Sequence, residues 1–147
     1  MDLAEGLILS QYYKAQRDAR LPEPEAARIF SQIVEAVGYL HKNGIFHRDL
    51  KTENVMIDSG KKIKIIDFGF SVKAEPMQRL NLFCGTPNYM SPEIILKKDY
   101  YGGPSDIWAL GVLLYVICAG HFPFKGNYQF TKERTTRNCT KRSSEWS

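Results

Sequence analysis

The sequence has little of what would mark a metalloprotein, a disulfide-stapled secreted domain or a membrane protein. Its three cysteines, Cys84, Cys118 and Cys139, show no metal-ligand spacing. An odd cysteine count argues against a disulfide framework and for a reducing compartment, so the expected location is the cytoplasm or nucleus. No charged-then-apolar leader opens the chain. The longest apolar run, Ile107 to Ala119, is broken only by Gly111 and is too short for a membrane span, so a buried helix is expected and no membrane partner. There is no internal repeat. The net charge of +4 is too small to argue for nucleic acid as a partner. Part of it lies in a late run of Lys132, Arg134, Arg137, Lys141 and Arg142, which reads as a solvated tail. What remains is 147 residues, 44% apolar and 24% charged, enough for one globular domain with a sizeable core.

Pro22-Glu23-Pro24-Glu25 places prolines and acids where a helix N-terminus favours them. Ala26, Ile29, Phe30, Ile33, Val34, Val37 and Leu40 then recur at helical spacing, predicting one buried face, and Asn43-Gly44 ends the helix. Val55-Met56-Ile57, a turn at Asp58-Ser59-Gly60 and Ile63 to Ile66 predict a β-hairpin. From Phe70 to Met90 the pattern reads as loop. Pro104-Ser105-Asp106 opens a helix apolar on every side, which belongs in the middle of a core. The expected fold is mainly α with a small β-hairpin.

Chemistry concentrates in His47-Arg48-Asp49-Leu50-Lys51-Thr52-Glu53-Asn54 and in Asp67-Phe68-Gly69. Asp49 can accept a proton from an attacking hydroxyl, and Lys51 can neutralise charge on a transferring phosphate. Asn54 and Asp67 supply hard oxygens suited to Mg²⁺, and the hairpin brings them to one edge. The first run matches the H-R-D-L-x-x-x-N catalytic loop, the second the D-F-G metal site, and Ser91-Pro92-Glu93 stands where A-P-E would follow. Three such blocks in order resemble a eukaryotic serine/threonine protein kinase. The wording is nearest the cAMP-dependent and calmodulin- or AMP-dependent branches.

The resemblance runs from Met1 to about Gly126. It implies a kinase-like C-terminal lobe, incomplete at both ends, with residues 1–126 covering the hinge to the central helix. It makes Asp49 the catalytic base, Lys51 the phosphate-contacting lysine, and Thr86 the threonine bonded near both. Asn54 and Asp67 become the Mg²⁺ ligands. ATP would meet the backbone of Asp2 and Ala4 at the hinge, with Met56 as the apolar floor under adenine. His47 would stack on Phe68 of the Asp67-Phe68-Gly69 turn. Arg48 would grip an activating phosphate, Asp106 would tie the central helix to the catalytic loop, and Glu93 would lack its arginine partner. Glu53 sits where basophilic kinases pair with a substrate arginine. The partners implied are protein substrates carrying Ser or Thr, basic sequences among them.

Two departures accompany the likeness. No Gly-rich phosphate loop, strand lysine or helix glutamate precedes the hinge, so low activity is expected of these residues alone. The threonine expected two residues before Cys84 is Leu82, which cannot take phosphate. Residues 127–147 resemble no kinase and are expected to be a divergent, frame-shifted or mis-spliced tail. Read from the third base of the Glu133 codon, permitted codon choices give Glu-Asp-Asp-Lys-Glu-Leu-Tyr-Lys-Lys-Ile-Ile-Arg-Met, which looks like the next kinase helix. Two alternative readings come from other classes. One is a non-catalytic kinase-like module competing for substrates or regulators. The other is a small-molecule phosphotransferase of the aminoglycoside-kinase type, against which Lys51, Gly85-Thr86-Pro87 and Ser91-Pro92-Glu93 argue.

Overall fold

The computed structural model describes residues 6–124. The expected hinge residues Asp2 and Ala4, and the expected divergent tail 127–147, lie outside the described residues.

Helix α1 covers Leu9–Lys14 and α2 covers Glu23–Lys42. The acids Glu23 and Glu25 occupy the first turn of α2, and His41 and Lys42 the last, each sign matched to the helix dipole. Asn43 caps the C-terminus, and Gly44 follows at φ +69°, a backbone state glycine adopts without a Cβ clash. The buried stripe is Ala26, Ile29, Ile33 and Val37. Burying each of its large side chains contributes roughly 1.5–3 kcal/mol. Val34, expected on that face, is exposed, because it lies a residue off the stripe.

The predicted hairpin is present as β3 (Val55–Ile57) antiparallel to β4 (Ile63–Ile65), pairing Val55 with Ile65 and Ile57 with Ile63. Strand β1 (Leu7–Ile8) adds to its outer edge, with Ile8 opposite Met56. Helix α2 fixes the hairpin turn. Gln32 Nε2 donates to the Lys61 carbonyl at 3.0 Å, and Gln32 Oε1 accepts from the Ile63 amide at 3.3 Å. Lys61 Nζ also bonds the Tyr12 hydroxyl and lies 3.4 Å from Glu25.

The stretch from Phe70 to Met90 is not all loop. β2 (Ile45–Phe46) pairs with β5 (Val72–Lys73), and β6 (Arg79–Leu80) pairs with β7 (Tyr100–Tyr101). Two-residue strands are too short to show alternation, and their partners are far away in sequence, so no local signal announces them. The short helix α3 (Pro92–Ile95) follows the loop.

Helix α4 (Gly102–Ala119) begins two residues before the expected Pro104. A Cβ at Gly102 would lie 2.4 Å from the Phe46 ring, so the close approach there requires glycine. The helix ends at Gly120, φ +77°, whose amide bonds the Val116 carbonyl at 2.9 Å. It is long and apolar enough to cross a membrane. Its second turn nevertheless buries Asp106 in hydrogen bonds to the His47 and Arg48 amides, which is core packing. The expectation of burial on every side is corrected. Ala109, Leu110, Val112, Leu113, Val116 and Ile117 are buried, whereas Ile107 is 62% and Tyr115 42% exposed.

The larger core cluster joins α1, α2, the hairpin and α4 through Leu9, Ile29, Ile33, Leu50, Val55 and Leu113. A smaller cluster of Phe46, Ala74, Leu80, Ile94 and Tyr100 lies apart from it. Leu50, fully buried, anchors the loop from His47 to Asn54 in the larger cluster.

Candidate active site

The loop between β2 and β3 folds around Asp106 of α4. One carboxylate oxygen, Oδ2, accepts from the His47 amide at 2.9 Å and His41 Nε2 at 2.8 Å. The other, Oδ1, accepts from the Arg48 amide at 2.8 Å. Asp106 is 1% exposed, so these donors replace its water. They also hold Arg48 at φ +66°, a left-handed conformation uncommon outside glycine. His47 is fully buried. Its Nδ1 accepts from the Asp49 amide at 3.3 Å and its Nε2 donates to the Ile66 carbonyl at 3.2 Å, which fixes the Nε2–H tautomer. The ring lies 5.0 Å from that of Phe68, tilted by 59°.

Asp49 stands at the centre of a closed polar set and is 4% exposed. Thr86 Oγ1 donates to Asp49 Oδ1 at 2.8 Å, and Lys51 Nζ pairs with Asp49 Oδ2 at 2.8 Å. Lys51 Nζ donates in turn to Thr86 Oγ1 at 2.8 Å. Asn54 Nδ2 donates to the Asp49 carbonyl at 2.9 Å and to Oδ2 at 3.2 Å. The Thr86 loop can come this close because Gly85 has φ +117°, and a Cβ there would lie 2.8 Å from the Arg48 carbonyl. Residues 35 to 37 positions apart thus converge on one carboxylate.

The Ile66 amide bonds the Asn54 carbonyl at 2.9 Å, so the hairpin places Asn54 beside the residue preceding Asp67. Asp67 is exposed at φ +61°, and its Oδ1 accepts from the Gly69 amide at 3.2 Å. Among the described residues nothing engages Asn54 Oδ1 or Asp67 Oδ2. Two uncommitted hard oxygens fit Mg²⁺, which takes one or two protein ligands and fills its shell with water and phosphate. Met56 is half-buried in β3.

Glu53 is exposed and accepts a 3.2 Å hydrogen bond from Thr52 Oγ1. Behind it, the Tyr89 hydroxyl contacts Thr52 Oγ1 at 3.2 Å. Burial first, and the Glu53 charge after it, push the Tyr89 phenol up to about 12. Glu93, half-buried in the first turn of α3, has no side-chain partner among the described residues. The Arg48 guanidinium reaches the Phe70 carbonyl through Nε at 2.6 Å and the Tyr100 hydroxyl through Nη1 at 3.4 Å. Sequence reading missed His41, Tyr89 and Tyr100. Each acts through partners 18 to 65 positions away, and none sits in a motif. A concavity of about 850 Å³ lies elsewhere, between the start of α2 and Leu114 and Cys118 of α4, and its lining contains no expected site residue.

The profile of the protein kinase domain family matches residues 1–146. Sperm motility kinase 2B of Mus musculus is 44% identical over 124 residues, 84% of this chain and 25% of that protein. CBL-interacting serine/threonine-protein kinase 8 of Arabidopsis thaliana is 47% identical over 112 residues, 76% of this chain and 25% of that protein. Serine/threonine-protein kinase kin-29 of Caenorhabditis briggsae is 50% identical over 105 residues, 71% of this chain and 13% of that protein. The chain therefore spans a quarter or less of the length of these relatives.

Proposed function

The chain belongs to the eukaryotic serine/threonine protein kinase family, and from that premise we propose that it carries the helical C-terminal lobe of a catalytic domain. The reading is phosphoryl transfer from ATP to serine or threonine hydroxyls of proteins. The observation that supports it best is the closed set of bonds joining Asp49, Lys51 and Thr86.

In this reading Asp49 takes the proton of the substrate hydroxyl. Its two oxygens are already oriented by Thr86 and Lys51, and a carboxylate offers about four lone-pair sites, so acceptor capacity remains. Lys51 holds positive charge where negative charge gathers during transfer, in a fixed position that costs no reorganisation. Asn54 is oriented by Asp49 through its amide nitrogen, which leaves its oxygen for Mg²⁺ together with the Asp67 carboxylate. Bound ATP and Mg²⁺ supply the transferable phosphoryl group and neutralise its charge. Asp106, His41 and His47 keep the loop in register. Glu53 offers an exposed carboxylate to a basic side chain of the protein substrate.

The 147 residues contain no Gly-rich phosphate loop, so alone they are expected to turn over far below the ~1 s⁻¹ at the low end for kinases. The test joins them to a compatible N-terminal lobe and family-like C-terminal helices. Radiolabelled transfer to a basic serine peptide library is then measured. Asp49→Asn keeps the shape but removes the base, and should lower turnover by about 10²–10⁴-fold. Equal turnover with Asn at this position would overturn the assignment. Partner binding without any turnover would instead favour a non-catalytic module.

A further inference from the structure

One buried hydroxyl close to this site has no role in the reaction described. Tyr100 is 2% exposed. It lies in β7 opposite Leu80 of β6, with its ring 6.4 Å from that of Phe83. Its hydroxyl donates to the Leu82 carbonyl at 2.8 Å and accepts from Arg48 Nη1 at 3.4 Å. The same guanidinium donates through Nε to the Phe70 carbonyl at 2.6 Å. Phe70 and Leu82 bracket a segment that is largely exposed from Glu75 to Arg79, with Met77 at 78% exposure. Both ends of that segment are therefore tied to one guanidinium–phenol pair. The guanidinium belongs to the residue directly before Asp49, at a left-handed backbone position that persists only where its surroundings determine it.

We infer that Tyr100 is a positioning residue whose neutral hydroxyl latches segment 70–82 onto Arg48, and so steadies the Asp49 loop with no phosphate on the segment. The latch reaches residue 82 through its backbone carbonyl, so it does not depend on what the side chain can carry. Burial pushes the Tyr100 phenol up to about 12, so it remains a protonated donor throughout the neutral range. The acceptors are carbonyl oxygens, which suit a neutral phenol and a guanidinium without any added anion. The inference rests on this geometry and does not depend on the kinase reaction.

The test uses the whole chain, shown free of phosphate by intact mass. Hydrogen exchange is compared between it and Tyr100→Phe, which keeps the ring and removes only the hydroxyl. The expected result is exchange about tenfold or more faster over residues 70–84, as a bond to a charged donor is lost. The Ala74 amide, which bonds the Gly44 carbonyl, is a reporter within this segment. Residues 48–50 should loosen with it, and residues 26–40 of α2 should not change. Arg48→Lys removes the Nε bond to Phe70 and should loosen the same segment. Three results would overturn the inference: no change over residues 70–84 in Tyr100→Phe, an equal rise in α2, or an unmodified chain that shows no protection over 70–84 at all.

Discussion

Asp106 accepts from two backbone amides of the loop that presents Asp49 and from the imidazole of His41 at the end of α2. Asp106→Ala would leave the His47 amide without an acceptor in the buried interior and remove the partner of the other two. Breaking a buried polar set of this kind costs about 3–5 kcal/mol, so a large fall in the urea midpoint is expected. A midpoint within experimental error of the unmodified chain would show that the loop is held some other way. The phenols give a pH signature. Tyr89 and Tyr100 are both pushed up to about 12, chiefly by burial, against an ordinary value near 10. The folded chain therefore keeps two protons that the unfolded chain releases. Their stabilisation is fully present below pH 10 and is lost as pH rises towards 12. At 1.36 kcal/mol per pKa unit, each contributes roughly 2–3 kcal/mol to that loss. Urea midpoints measured from pH 9 to 12 should fall steeply, and Tyr100→Phe should flatten the fall. At this scale Asp49, Lys51, Asn54 and Asp67 were legible as candidates because fixed spacing in two ordered motifs singles them out, and Thr86 because the resemblance extends to Gly85-Thr86-Pro87. His41 and Tyr100 were not, because a lone histidine in a helix end and a tyrosine in a two-residue strand look like ordinary packing.

Secondary structure was legible wherever an element is long enough to repeat its own period. α2 shows its buried stripe and both caps in sequence, and the hairpin shows its two apolar runs and its turn. β2, β5, β6 and β7 are each two residues long, so no periodicity exists to be read. Their pairing comes from chain segments brought together by the core. The start of α4 shows the same override. Two glycines open it, against helix propensity, because Gly102 lies against the ring of Phe46. Gly102→Ala would improve propensity by roughly 1 kcal/mol, yet its Cβ would meet the ring at 2.4 Å. Overpacking typically costs about 1–3 kcal/mol, so a net loss is expected, seen as a melting midpoint lowered by several degrees. A raised midpoint would mean that Phe46 moves aside at little cost.

At the scale of the whole molecule, the apolar content of α4 sets the behaviour in solution. An apolar helix with nearly equal hydrophobicity around its circumference was expected to be covered throughout. The fold covers it on the side of α2 and the loop that follows Phe46. Ile107 and Tyr115 stay exposed, and Leu114 lines the open groove beside the start of α2. Leu96 at 63% and Phe124 at 51% exposure add apolar surface among the described residues. Large exposed apolar patches mark partner sites or association. Each large aliphatic side chain left in water forgoes roughly 1.5–3 kcal/mol. Two or three of them together forgo an amount comparable to much of a typical ~5–15 kcal/mol stability. The purified chain should therefore bind a hydrophobic dye, self-associate with rising concentration and melt broadly. Ile107→Lys places a charge on the exposed face without touching the buried stripe, so it should reduce dye binding and association while leaving the fold intact. A monomeric, sharply melting, dye-negative chain would show instead that residues outside 6–124, or a rearranged core, cover the exposed side of α4.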